Sequence, residues 1–256
     1  YGHHRDLHSF PTRRSSDLMK HPKLRDSKRL LTNELYSIGD IPQEYIVKIG
    51  GHVVYLIHSG RKDMTGDDWG DIFADVIGGK HLASPVGIAD VEYGKMAWSM
   101  KTVKISNVFD CENIRLISGR CSPDFSFGIT DPHEDIQRTG EAVLAVWNER
   151  INIAYDHYNQ VRVSVLVRND DLSEFRLFEE VIQRYKTSDY KWVENKRGNL
   201  EGVNVHTGIK RFTWQPHGSQ FTIHTPVPED AIKFTVKHPP VVSVEETLKA
   251  LNFDES

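Results

Sequence analysis

The hydrophobic positions of the chain change period several times, and each change predicts an element. After Thr65-Gly66-Asp67-Asp68, apolar residues recur at Trp69, Ile72, Phe73, Val76 and Ile77, the spacing of one helix face, and Gly78-Gly79 supplies the stop. Ile88-Ala89-Asp90-Val91 suits a short buried strand that delivers one carboxylate near its end. Past a turn at Tyr93-Gly94-Lys95, Met96 to Ile105 alternates with period two. Ala97, Ser99, Lys101 and Val103 then share one face, and Trp98, Met100, Thr102 and Lys104 the other. NIRLISG (Asn113–Gly119) predicts a third strand. Pro132 to Tyr158 follows with a long helical pattern, and Arg162–Val167 with a fourth strand. Asp171–Tyr185, capped by Asp170 or Asp171, places Leu172, Phe175, Phe178, Val181 and Ile182 at helical spacing.

Upstream, a helix opens at Ile41-Pro42-Gln43-Glu44 and is expected to end at Gly50-Gly51, before a β-branched strand at His52–Ile57. Lys23 to Ser37 is a charged, weakly helical arm. Residues Tyr1–Leu18, with HRDLHSFPTRRSSDL, look like translated sequencing-adapter readthrough, and Met19-Lys20 is a plausible start. Setting this leader aside leaves 238 of 256 residues. Its three arginines and two aspartates carry +1, so the formal charge moves from −4 to −5. Such a length holds one large domain or a domain with an insertion. No apolar run approaches the roughly 20 residues of a membrane span. Cys111 and Cys121, without a CxxC, fit a reducing cytoplasm better than a zinc ribbon or a disulfide scaffold.

From Thr187 the texture becomes aromatic and basic on short strands. Tyr190, Trp192, Phe212, Trp214 and Phe221 alternate with polar residues. Between Arg184 and Phe221, seven Lys and Arg stand against three acidic residues, a local +4 in an otherwise acidic chain. Basic side chains track phosphates, while Arg, Gln and Asn can read base edges. Lys104, Arg120, Lys196, Arg197, Asn199, Arg211, Gln215, His217 and Gln220 are therefore the candidate DNA contacts. His206, His217 and His224 lack the close pair and companion carboxylate of a metal site. Val227 to Pro240 predicts one more strand, and Ser243–Leu251 a last helix.

The pattern brings Asp90 and Lys101 towards one sheet edge. A carboxylate beside an ammonium suits metal-assisted phosphodiester hydrolysis: the first can hold Mg²⁺, the second can orient water and offset phosphate charge. Asp90 followed by Ser99-Met100-Lys101 resembles the PD-(D/E)xK nuclease superfamily, the class of most type II restriction enzymes. Ala89 stands where that pattern has Pro, and Ser99 where it has an acidic residue. A Ser-x-Lys variant occurs among restriction enzymes that cut CCGG-containing sites, where a glutamate elsewhere restores the ligand. The resemblance implies Asp90, Ser99 and Lys101 as catalytic residues. A second metal ligand would come from Asp68, Asp71, Glu92, Glu112, Glu134 or Glu141.

The implied fold is α/β (α+β), a restriction-endonuclease-like αβββαβ core with a β-rich C-terminal segment. Its divisions fall at 1–18 (leader), 19–66 (helical arm and strand), 67–186 (nuclease core) and 187–256 (DNA-recognition segment). The implied activity is a cytoplasmic, Mg²⁺-dependent, site-specific DNA endonuclease acting on double-stranded DNA as a homodimer. A non-catalytic DNA-binding protein on a degenerate nuclease fold, which Ser99 favours, and a repair nuclease are the alternatives.

Overall fold

Where the sequence predicts a short helix and then a strand, one continuous helix forms. In the computed structural model, which describes residues 34–252, α1 (Gln43–His58) runs straight through Gly50-Gly51. Ile46, Ile49, Val53 and Ile57 lie three and four apart and are all buried. Burying that stripe outweighs the roughly 0.5–1 kcal/mol that each helical glycine costs, and it overrides the β preference of the valines. The leader and the arm up to residue 33 lie outside the described residues.

Helix α2 (Gly66–Ile77) forms as predicted between a Thr65/Asp68 capping box and a left-handed Gly78. Three antiparallel strands follow: β1 (Lys80–Val86), β2 (Ala89–Tyr93) and β3 (Met96–Lys104). Strand β1 is bulged between His81 and Val86, and its Ser-Pro sequence conceals it from the period-two test. The NIRLISG strand, β4 (Asn113–Arg120), exists but leaves this sheet. Short helix α3 (Pro123–Phe127) and long helix α4 (Ile136–His157), capped by Asp135, lead to β5 (Gln160–Arg168), which pairs parallel with β3.

The helix predicted over Asp171–Tyr185 is instead strand β6 (Glu174–Val181), antiparallel to β5. The Asp and Asn residues that read as a helix cap make a tight turn. Asn169 Oδ1 accepts the Ser173 and Glu174 N–H groups, and Asp171 accepts Ser173. Strand β6 is covered on both faces, so the alternation that marks a half-buried strand is absent.

The C-terminal texture change does produce strands: β7 (Tyr190–Glu194), β8 (Leu200–Asn204), β9 (Lys210–Gln215), β10 (Gln220–Pro226) and β11 (Ile232–Thr235), before α5 (Val244–Ala250). The strand predicted over Val227–Pro240 shortens to β11. The sheets exchange strands. One sheet has the order β1-β2-β3-β5-β6-β11, and the other β4-β10-β9-β8-β7. The fold is thus mixed α/β with five helices and two sheets among the described residues.

The six-stranded sheet divides two cores. On one face Val91, Trp98, Met100, Leu166 and Phe175 meet α1 and α2. On the other, Ala97, Val163 and Val165 meet α4 and the aromatic inner face of the second sheet, including Trp192, Phe212 and Phe221. Arg162 of β5 is wholly buried; both of its terminal nitrogens are paired within this frame, while its Nε has no partner among the described residues. Arg162 donates to Glu179 (3.1 Å), the Tyr36 carbonyl (2.9 Å) and Gln160 (3.1 Å), while the Tyr36 hydroxyl donates to Glu179 (2.8 Å). Arg162→Ala would strand the Glu179 carboxylate in the interior. The expected loss is about 3–5 kcal/mol of unfolding free energy, measured by urea denaturation.

Candidate active site

The β2–β3 ladder stops at Val91/Trp98, and the site begins there. Beyond that pair the Met100 N–H has a side chain for a partner: Asp90 Oδ2 accepts it at 2.8 Å. A carboxylate thus completes a main-chain ladder, which fixes its position at the mouth of a cleft. The same oxygen accepts the Ser99 hydroxyl (3.3 Å) and lies 3.7 Å from Lys101 Nζ. Lys101 Nζ donates to Ser99 Oγ (2.9 Å) and the Met100 carbonyl (3.0 Å). Asp90, Ser99 and Lys101, expected together from the sequence, form one hydrogen-bonded unit.

Lys101 is 16% exposed and Asp90 24%. Burial holds the Lys101 ammonium below the ordinary lysine value; the Asp90 carboxylate opposes that shift and the nearby Arg150 guanidinium adds to it. Arg150 reaches in from α4, donating to the Gly87 and Ser118 carbonyls and so tying the β1–β2 turn to β4. Gly87, at φ +63°, lies against the backbone of α4 at Arg150, where a Cβ would collide.

The cleft, about 590 Å³, is lined by Asp67, Asp71, His81, Asp90, Met100 and Lys101 among others. Asp71 Oδ1 pairs with His81 Nδ1 (2.7 Å), and the His81 ring packs on Gly70, where an added Cβ would lie 2.5 Å from Nε2. One oxygen each of Asp90 and Asp71 has no protein donor among the described residues. Asp71 is thus the one expected helper that shares the cleft. Among the described residues no group of three or more His, Cys, Asp or Glu gathers to hold a metal ion, so a Mg²⁺ here would draw on the Asp90 and Asp71 carboxylates that line the cleft, with waters and phosphate oxygens completing its shell.

The other expected ligands are placed elsewhere. Asp68 is spent on the capping box of α2 and on Arg61, at 2.6 Å. Glu92 accepts the Tyr158 hydroxyl, whose pKa is pushed up to about 12 by burial and by that carboxylate. Glu112 lies in the loop before β4, Glu134 in the loop before α4, and Glu141 on α4 beside Gln137. None of these lines the cleft.

A second groove, about 560 Å³, continues the cleft. It shares Gly66, Met100 and Lys101 with it and runs between Thr102–Lys104 of β3 and Arg115, Leu116, Ile117 and Gln220. Of the expected DNA contacts, Gln220 and Lys104 line it, the latter paired with Asp170 at 2.8 Å. Arg120 and Gln215 sit opposite Gln220 on the neighbouring strands, with His217 in the β9–β10 turn. Arg211 is committed to the His224 carbonyl and the Tyr185 hydroxyl. Lys196, Arg197 and Asn199 occupy the β7–β8 turn, where Asn195 Oδ1 accepts the Arg197 and Asn199 N–H groups; that turn does not line the groove.

Asp67, His81, Arg115, Ile117 and Arg150 carry no local motif, since strands or helices distant in sequence bring them to the site. Among the described residues no helix is long and apolar enough to cross a membrane. No family model, curated protein or solved structure matches the chain.

Burial opposes Asp68 ionisation, but the Thr65 N–H, the Thr65 hydroxyl and Arg61 outweigh it and hold the carboxyl below its usual range. The capping contribution is therefore full above about pH 4 and is lost as pH falls through the depressed folded value. Asp68→Ala should cost about 1 kcal/mol at pH 7. In urea titrations the gap between wild type and variant should close as pH falls below the ordinary aspartate value and through the depressed folded one.

Proposed function

We propose that the chain is a Mg²⁺-dependent DNA endonuclease of the type II restriction class. The observation that carries this reading is the Asp90–Ser99–Lys101 unit, set where a strand ladder breaks open into a groove lined by Lys104, Arg115 and Gln220. The order α2-β1-β2-β3-α4-β5, with three antiparallel strands and β5 parallel to β3, agrees with the αβββαβ core that the resemblance implies once β1 is counted and β4 is assigned to the second sheet. Fold alone carries no chemistry, so the function rests on the site.

Bound Mg²⁺ would supply charge stabilisation at the scissile phosphate and a more acidic water. Asp90, assisted by Asp71 across the cleft, would hold it. Lys101, sustained by Asp90, would set an ammonium beside the reacting phosphate to offset its charge, in a setting where partial burial strengthens the field. Ser99 stands where the superfamily has a carboxylate. It accepts from Lys101 and donates to Asp90, so it orients both without adding negative charge. Paired copies of the chain on a palindromic site are the arrangement expected for a sequence-specific cutter.

The second reading, a DNA-binding protein without catalysis, is favoured by that same serine, since a metal ligand is lost there. Plasmid cleavage with and without Mg²⁺ separates the two. Discrete fragments support a site-specific endonuclease, a smear supports a repair-type nuclease, and uncut plasmid that still binds supports the non-catalytic reading. Lys101→Ala should lower cleavage by about two orders of magnitude or more while leaving DNA binding largely intact. Cleavage within tenfold of wild type would remove Lys101 from the mechanism. Asp90→Asn should abolish cleavage or move its Mg²⁺ requirement to much higher concentration, read by titrating the metal in the cleavage assay.

A further inference from the structure

The outer face of the second sheet has a feature that the catalytic unit does not use. Strand β4 is its edge strand and pairs antiparallel with β10, which in turn pairs with β9, so the β4–β10 pair forms the sheet edge beside the cleft. Along β4 burial alternates strictly: Ile114, Leu116 and Ser118 face the core, and Asn113, Arg115 and Ile117 face out. Arg115 stands opposite His224, Ile117 opposite Thr222, and Gln220 opposite Arg120. Arg115, Ile117 and Gln220 all line the groove that continues from Lys101.

Two properties mark these residues. The other charged groups lining the groove are already spent, Lys104 on Asp170 and Lys101 on Ser99 and Asp90. His224 is bonded to Thr213. The Arg115 guanidinium and the Gln220 carboxamide have no hydrogen-bond partner among the described residues. In addition, Ile117 is 59% exposed between them, an aliphatic side chain on an otherwise polar strand face.

We propose that the β4–β10 sheet edge reads base edges in the DNA major groove, Arg115 addressing a guanine, Gln220 an adenine and Ile117 a thymine methyl. This rests on the endonuclease reading and gives that site its specificity element. The major groove, about 12 Å wide, can take strands presented at the edge of a sheet, the mode of β-sheet readers. A guanidinium matches guanine O6 and N7 with two donors, a carboxamide matches adenine N6 and N7, and an apolar side chain matches the thymine methyl. The shared groove places this reading surface next to Lys101, so recognition and cleavage would address one duplex. Arg197, in the β7–β8 turn, has no part in it.

The test uses the full chain and a library of duplexes with a randomised central segment, bound with Ca²⁺ in place of Mg²⁺, recovered and sequenced. Wild type should enrich a defined motif. Arg115→Ala should lose preference at a guanine position by roughly 5- to 150-fold, while binding to random duplex falls less than tenfold. Arg115→Lys, which keeps the charge but not the paired donors, should lose the same preference and retain random-duplex binding. Gln220→Ala should relax a different position, and Arg197→Ala should leave the motif unchanged. Circular dichroism of each variant confirms the fold before binding is compared. A uniform loss on all duplexes with the motif intact would make Arg115 a phosphate contact and overturn the inference. Wild type that cuts plasmid in Mg²⁺ but enriches no motif would overturn it while leaving the endonuclease reading standing. Wild type that binds no duplex would remove both.

Discussion

Parallel strands cannot be joined by a tight turn, and in this protein β3 and β5 are parallel neighbours at the centre of the larger sheet. The chain must leave the end of β3 and return to the start of β5, and residues 105–159 make that journey. On the way they lay down β4 against β10 and then α4 between the two sheets. That one topological demand places the second sheet beside the C-terminal end of β3, where Lys101 and Lys104 emerge. The groove between β3 and β4 is the gap the crossover leaves, and Arg150 of α4 bridges its base from Gly87 to Ser118.

The site sits where regular pairing fails. Had the β2–β3 ladder run on, Asp90 would be an ordinary strand residue and Met100 N–H an ordinary ladder donor. Because it stops at Val91, the carboxylate takes the main-chain role and is held without needing a cation to position it. Ser99 and Lys101 are then two residues apart on one face, close enough for the hydroxyl to join ammonium and carboxylate. The opposing effects on Lys101 follow from this place: partial burial and Arg150 disfavour its charge, and Asp90 sustains it.

Elements with a local signal were legible from the residues. The Thr65/Asp68 box, the Asp90–Lys101 hairpin, the long helix to Tyr158 and the capped last helix all carry their own stop and start chemistry, and they formed where expected. Misread elements were those whose environment overrides local preference. Val53-Val54 favours a strand in isolation, but a four-residue stripe buried against α2 and the sheet makes it helix. Glu174–Val181 has helical spacing and a cap-like Asp, yet lies between two strands with both faces covered.

For the site the division is similar. Asp90, Ser99 and Lys101 are near neighbours in sequence and meet through one hairpin, so their association could be read from period and turn alone. Which carboxylate shares a cleft with Asp90 could not. Asp68 and Asp71 lie on one helix three residues apart, and only the packing of α2 on the sheet sends Asp71 to the cleft while the helix start claims Asp68. Arg115 and Gln220 stand far apart in sequence and carry no shared motif; the β4–β10 register brings them to one groove. The sequence by itself thus determined the local strands and caps and the pairing of Asp90 with Lys101. Tertiary structure alone decided which distant side chains share a surface, because strand order and sheet membership depend on long-range pairing that local periodicity does not encode.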